Sequence, residues 1–559
     1  MSARSKSNHF MVQGTILAIA SLLVRIIGLI YRFPMIRIIG QEGMGYYSNS
    51  FEIYNITLIL SSYSLPIAVS RLVAVRRVNK EHKNAYQIFL CAMAMAAVAG
   101  GVATSVVFFG ADFFSSAIFD MPSTALPLRV LAPTIFIFAI MGVLRGFFQG
   151  KNTTIPTAVS QVIEQIVNAI VSIAASYILV KNYSASMNVA AYGAAGGTLG
   201  TFAGACIGLI FLLFVFVIYN PVMSRQIRSD RTENPESYGT IFRLLVMTIA
   251  PVILSQTVFQ ISGLLDNALF GHIMNNKEIS SFDMEVLKGA VSGQHYTEEY
   301  RSKLIGIYSG EYRTITNVPV AIAASIGAAI VTSISADRVR GWHDVIRSKV
   351  HVAIKFNMIV AIPAFIGMAV LASPIMTLIF GDSSKLITNV MVLGSISIVF
   401  FALSTITTAI LQGIGRMRVP VINSAISLGI HVILVFCLLQ FTHLSIYSLV
   451  IGNVTFPLVV CILNWLSVEK YLDYRQEIIK TFVIPFVSAG LMGAATYFIY
   501  LGMELWTKSM LLSVLVAMIA AVIIYFLLLV FLRGVSESEL EFIPQGHKLV
   551  RILKKIRLL

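Results

Sequence analysis

Fourteen long apolar runs, separated by charged or Gly/Pro-bearing turns, decide what this chain can fold into. Their limits are 12–39, 46–72, 85–110, 127–149, 155–180, 190–218, 240–271, 307–334, 350–380, 386–412, 418–441, 445–467, 479–501 and 509–533. Each exceeds the roughly 20 residues that carry a helix across a bilayer. Backbone amides in hydrocarbon must be satisfied within the segment, so the runs are predicted to be helices. The 559 residues are 57% hydrophobic and 12% charged, about half the charge content of soluble domains. The expectation is an all-α polytopic membrane protein with fourteen spans. A soluble enzyme and a disordered chain are excluded. The first run is too long for a signal-peptide core and carries Arg25 and Arg32, so it reads as a retained span.

Lysine and arginine set the expected topology. Of 41, 29 fall on one set of alternate connections and termini and 9 on the other. The positive-inside rule then puts both termini in the cytoplasm. The net charge of +15 is accounted for by inner-leaflet headgroups rather than nucleic acid. Cys91, Cys206, Cys437 and Cys461 lie within apolar runs without CxxC spacing. They read as small buried hydrophobes, with neither a metal site nor a cofactor implied.

The chain also repeats itself at a shift of 261. Gly45-Tyr46-Tyr47-Ser48 matches Gly306-Ile307-Tyr308-Ser309, Arg77-Val78 matches Arg338-Val339, His82 matches His343, and Ile118-Phe119 matches Ile379-Phe380. After two inserted residues, Gln149-Gly150 matches Gln412-Gly413. Two pseudo-symmetric six-helix bundles are expected, residues 1–235 and 236–475. Spans 13 and 14 (476–533) are an addition, and 534–559 forms a cytoplasmic amphipathic tail. Six spans per copy give both the same orientation, and substrate sites in such folds lie between the copies. The second copy carries an external insertion, 272–305, whose Asp283, Glu285, His295, Glu298 and Glu299 read as a solvated loop.

Polar residues inside spans are the candidates for function, because burying them in lipid is costly. Span 1 places Ser21, Arg25, Gly28 and Arg32 on one helical face. Arg25 lies about 16 Å past Gly14 at 1.5 Å per residue, near mid-membrane. Span 2 carries Ser48, Glu52 and Asn55; span 8 carries Ser309, Arg313 and Thr316 at the equivalent positions. Glu52 and Arg313 are expected to face each other and help close the outer end. Span 5 carries Ser160, Glu164, Asn168, Ser172 and Ser176 at four-residue spacing. Glu164 lies at a depth close to Arg25, where it would form an ion pair with Arg25 or serve as a cation or proton site. Span 7 carries Asp266 near its outer end. Span 6 carries Gly196, Gly200, Gly204 and Gly208, a smooth face for close packing. No HExxH, P-loop or GxSxG motif is present, so the chain is not expected to be an enzyme. Arginines in a cavity suit an anionic substrate such as a pyrophosphate.

With its 6+6+2 spans, the chain resembles the MurJ-type lipid II flippases, in the YtgP/SpoVB-like branch of the multidrug/oligosaccharidyl-lipid/polysaccharide exporter superfamily. The likeness is carried by Val12-Gln13-Gly14-Thr15, Arg25-Ile26-Ile27-Gly28, Ile30-Tyr31-Arg32-Phe33-Pro34, Leu144-Arg145-Gly146-Phe147-Phe148-Gln149-Gly150 and Leu264-Leu265-Asp266. The resemblance implies that spans 1, 2, 7 and 8 line a cavity. It maps the family arginines onto Arg25, Arg32 and Arg313 and the family acid onto Asp266. The family arginine late in span 2 falls near Ile59 here. The implied activity is movement of lipid II from the inner to the outer leaflet of the bacterial plasma membrane, for peptidoglycan and cell-wall synthesis and cell shape. Arg25, Arg32 and Arg313 would bind the pyrophosphate, and Glu52, Glu164 and Asp266 would gate or form ion pairs. Implied partners are the lipid-linked glycan, membrane lipids and a possible counter-ion, with no nucleic acid and a monomeric protein. The alternatives are a flippase for another polyprenyl-linked oligosaccharide, a cation-coupled drug exporter of the superfamily, and a polytopic glycan polymerase or ligase acting through the external loop.

Overall fold

The computed structural model describes residues 3–230, 236–287, 289–291 and 293–535. The expected tail helix lies, from residue 536 onward, outside the described residues. Those residues are helical apart from turns and an isolated bridge within the insertion. Helices α1 to α11 are Ala3–Ile30, Arg32–Leu58, Leu65–Val78, His82–Phe109, Ala111–Phe119, Ala125–Leu131, Pro133–Gly150, Ile155–Asn182, Val189–Arg228, Tyr238–Asn275 and Glu298–Ile305. Helices α12 to α20 are Arg313–Val339, His343–Val370, Ala372–Phe380, Lys385–Gly394, Ser397–Gly413, Arg418–Phe441, Ile446–Leu472, Ile484–Thr507 and Met510–Phe531. Twelve described helical stretches are long and apolar enough to cross a membrane. Spans 1 and 7 correspond to α1 and α10, whose described apolar stretches are Ile19–Ile30 and Tyr238–Ala250.

The repeat is visible in the element boundaries. Shifting α4 and α5 by 261 gives the limits of α13 and α14 to the residue, and α3 and α12 end at Val78 and Val339. After the two inserted residues, α7 and α16 end at Gly150 and Gly413, and α8 and α17 start at Ile155 and Arg418. Left-handed residues repeat as well: Lys80 with Gly341 (φ 63° and 74°), Asp120 with Gly381 (52° and 77°), and Asn152 with Gly415 (65° and 74°). At each pair one copy uses glycine, which adopts this conformation without steric cost.

Breaks within the spans have local causes. Gly40, at φ 71° and ψ 175°, interrupts α2 and separates spans 1 and 2. Pro34 lacks the amide that would bond to Ile30, and the chain turns at Tyr31 between α1 and α2. Ile59–Tyr63 and Gly306–Tyr312 are π-helical. The wider turn alters which residues stack along span 8, so the expected Ser309–Arg313–Thr316 face does not follow α spacing there.

The chain forms two compact units, residues 1–277 with 295–310, and residues 278–294 with 311–559. The core of the first includes Leu72, Ile88, Phe89, Leu144, Phe147 and Leu212. Its α8 and α9 meet along the glycine face of span 6. A Cβ on Gly196 would lie 2.5 Å from the Ser176 amide nitrogen, and one on Gly204 2.5 Å from the Glu164 carbonyl oxygen. Ser172 and Ser176 donate to the carbonyls of Gly197 and Gly193 at 2.8 and 3.0 Å. The serines of the span 5 stripe thus join two helices, as small and hydroxyl residues do where no hydrophobic effect drives association. The second unit is built around Ile354, Met358, Ile398, Ile406 and Ile410, and α19 and α20 add Met492 and Leu529 to that core.

Candidate functional site

In the first unit, spans 2 and 7 share a buried polar seam. Asn267 donates to the Asn49 side-chain carbonyl at 2.9 Å. Gln260 donates to Glu52 Oε2 at 3.2 Å. Gly263 makes room for that carboxylate, since a Cβ there would lie 2.7 Å from Glu52 Oε1. Asp266 accepts from the Tyr308 hydroxyl at 3.3 Å. Glu52 and Asp266 are 7% and 4% exposed, so both acids are held inside protein rather than at a solvated rim. The structure brings them to one seam, each with its own neutral donor.

Arg32 is half-buried at the start of α2. It lies within hydrogen-bonding reach of the hydroxyls of Tyr31 and Tyr47, which are 3.2 Å from each other. Tyr47 is only 1% exposed, and its ring packs on Phe51 with centroids 4.5 Å apart and touches Gly197 of α9. Arg25 is exposed beside the exposed Leu22 and Ile26, one turn before Gly28. That glycine faces Gln165 of α8, whose Nε2 would be 3.1 Å from a Cβ.

Glu164 does not take Arg25 as its described ion-pair partner. It pairs with Arg145 of α7 at 2.7 Å, with side chains 17% and 11% exposed, and Arg145 also donates to Ser160 Oγ at 3.1 Å. Arg145 lies near the end of the apolar run 127–149. It is buried because α7 continues to Gly150, so its side chain points along α8.

The insertion departs from the expected solvated loop. Asp283 is 0% exposed, Glu285 accepts from the Lys385 amide at 3.1 Å, and Glu298 accepts from the Ser123 amide at 2.8 Å. Arg301, 4% exposed, binds Asp120 at 2.9 Å and the Gly271 carbonyl. These bonds seat α11 so that the start of span 8 crosses α2 at the repeat-equivalent glycines Gly45 and Gly306. A Cβ on Gly45 would overlap Ser302, and one on Gly306 would overlap Gln41. Gln41 and Ser302 are themselves equivalent under the 261 shift. The crossing therefore brings backbone against backbone.

In the second unit, half-buried Arg313 follows Tyr312. The Tyr312 hydroxyl donates to the Gly394 carbonyl at 2.9 Å, lies 3.1 Å from Ser397 Oγ and accepts from Asn453 at 2.8 Å. This knot fixes the backbone from which Arg313 projects. Glu52 belongs to the first unit and Arg313 to the second. Sequence reading missed Tyr31, Tyr47, Asn49, Arg145, Asn267 and Tyr312 as members of these networks. Among the described residues no group of three or more His, Cys, Asp or Glu could hold a metal.

The family described as "Polysaccharide biosynthesis protein" matches residues 11–336, more than half the chain. The chain belongs to that family. Residues 312–531 also match the family described as "Lipid II flippase MurJ". Lipid II flippase MurJ of Bacillus subtilis (strain 168) is 22% identical, with 87% of each chain covered. Stage V sporulation protein B of the same organism is 24% identical, covering 96% of this chain and 98% of that one. The solved structure "Lipid II flippase MurJ, inward closed conformation" superposes with a TM-score of 0.62 at 13% identity, over 92% of this chain and 98% of that one. The chain is thus a multi-pass membrane protein of the polysaccharide biosynthesis family, with a fold like that of the solved flippase.

Proposed function

We propose that this protein is a lipid II flippase, moving the lipid-linked peptidoglycan precursor from the inner to the outer leaflet of a bacterial plasma membrane by alternating access. The observation that carries this reading is Arg32, a half-buried cation inside a span, with the hydroxyls of Tyr31 and Tyr47 beside it. Such a guanidinium suits a diphosphate, which it can meet with two parallel hydrogen bonds in low dielectric. Arg25, whose side chain is accessible, and Arg313, anchored by the Tyr312 knot, are assigned to the same headgroup. Glu52 and Asp266, held by Gln260 and Tyr308, are assigned to gating. Both termini are cytoplasmic, the working unit is a monomer of two six-span repeats plus spans 13 and 14, and transport is driven by membrane potential or a counter-ion. Similarity to a sporulation protein over nearly the whole chain favours a second reading, a flippase for another polyprenyl-linked glycan. The test is growth of a flippase-depleted strain. Arg25→Ala and Arg32→Ala are expected to fail to restore growth while remaining at normal level in the membrane. Full growth with both variants would refute the assignment.

A further inference from the structure

Two repeat-matched residues, Arg77 and His82, are not used by this reading. They lie in the first unit at the helix ends opposite the insertion, where α3 meets α4, α7 meets α8, and α9 ends. Arg77 donates to the Lys151 carbonyl at 3.0 Å. Lys151 reaches Gln226 Oε1 at 3.2 Å and lies 5.5 Å from the Phe147 ring centre. Both cations are half-buried. Burial lowers the Lys151 pKa, and the charge of Arg77 lowers it further. The nearby acids hold other partners, with Glu236 Oε2 left without a hydrogen bond. Glu236 binds Arg76 at 2.6 Å and Glu81 lies 3.6 Å from it, while Asp230 accepts from the Lys83 amide at 2.6 Å. His82 Nδ1 is buried and makes no hydrogen bond; burial lowers the pKa of this ring, the charge of Lys151 lowers it further and that of Asp230 opposes them.

Two like charges held together in a part-desolvated site are unfavourable until an anion joins them. Arg77 keeps unused guanidinium protons, Lys151 keeps ammonium protons, and His82 offers an uncommitted ring nitrogen. We propose that Arg77, Lys151 and His82 form a phosphate-binding site, separate from Arg25 and Arg32, for a phosphate ester at the membrane surface. The second repeat keeps part of this arrangement. Arg338 lies against Gly415, where a Cβ would overlap its guanidinium, and His343 is retained, but Ile414 replaces Lys151. The second unit therefore has no cation at the position of Lys151.

The test uses the full-length protein in nanodiscs of phosphatidylcholine, with phosphatidylglycerol titrated in one arm and inorganic pyrophosphate in the other. Binding is read as the rise in thermal midpoint. Either probe is expected to stabilise the parent, and Lys151→Gln to weaken its apparent affinity at least about tenfold, as loss of a charged hydrogen bond does. Lys151→Arg should retain binding, which separates loss of charge from misfolding. Response to phosphatidylglycerol alone identifies a membrane lipid, and response to pyrophosphate a diphosphate headgroup. Equal responses of parent and Lys151→Gln, or no response of the parent to either probe, would overturn the site. The outcome is independent of the flippase reading, because no transport is measured.

Discussion

Replacing Gly306 by alanine tests the glycine crossing most sharply. The new Cβ would lie 2.7 Å from the Gln41 carbonyl carbon and 3.1 Å from the Gly45 amide nitrogen. Carbon atoms pack at about 3.5 Å or more, so the first contact is ~0.8 Å too close. Both neighbours are backbone, and no flexible side chain can swing aside. The two helices must part, at a cost of about 1–3 kcal/mol for overpacking. At 1.4 kcal/mol per tenfold, the separated form should become roughly 5- to 150-fold more populated. Leu304, 0% exposed in α11, provides the reporter. Leu304→Cys is made in a chain whose Cys91, Cys206, Cys437 and Cys461 are replaced by alanine, and a maleimide labels the purified protein. The labelling rate should rise at least about fivefold with Gly306→Ala. It should not change with Gly239→Ala, whose Cβ meets nothing within 4 Å. An unchanged rate with Gly306→Ala in a folded protein would refute the argument that the crossing is held by backbone contact.

Two further outcomes follow from the same geometry. Glu164→Gln removes the charged partner of a largely buried Arg145 and should lower stability by about 2–3 kcal/mol, read by thermal unfolding in detergent. Adding Arg145→Met should recover most of that loss, and no recovery would show that the pair is not the cause. Lys80→Gly should raise stability by about 0.5–1 kcal/mol, and Gly341→Ala should lower it by about 1 kcal/mol, because both positions are left-handed. Changes of the same sign in the two variants would contradict this.

Helix positions were legible in the sequence because hydrocarbon leaves the backbone one solution, and the repeat was legible because matched residues kept a constant spacing. The break at Gly40 fell between the expected spans 1 and 2. The side-chain networks were harder to read. Arg145 stands near the end of an apolar run, where sequence alone does not tell a buried ion-pair partner from a cation at the membrane surface. Yet it is about 7 Å before the end of α7, and Glu164 about 13 Å into α8, by helix rise alone. The long arginine stem spans the difference of roughly 6 Å. Periodicity places both on their helices but does not say which faces meet. The same holds for Arg301, which lies in the most polar segment of the chain and is nonetheless buried between Asp120 and Gly271. The π-turn at Gly306–Tyr312 has no signature in apolar spacing, and it moves Arg313 off the expected α-helical face. Arg32 was found from its charge inside a span. Its tyrosine partners were not, because a buried tyrosine in an apolar run looks like core until a hydroxyl partner is known.

The most direct measurement is movement of lipid II across the bilayer of vesicles containing the purified protein. A polyprenyl-linked glycan lacking the diphosphate provides the comparison. The account predicts that the parent moves lipid II and not the comparison lipid, and that Arg32→Ala loses at least about tenfold in rate, as loss of charged hydrogen bonds implies. Equal rates for the two lipids, or an unchanged rate for Arg32→Ala, would contradict it.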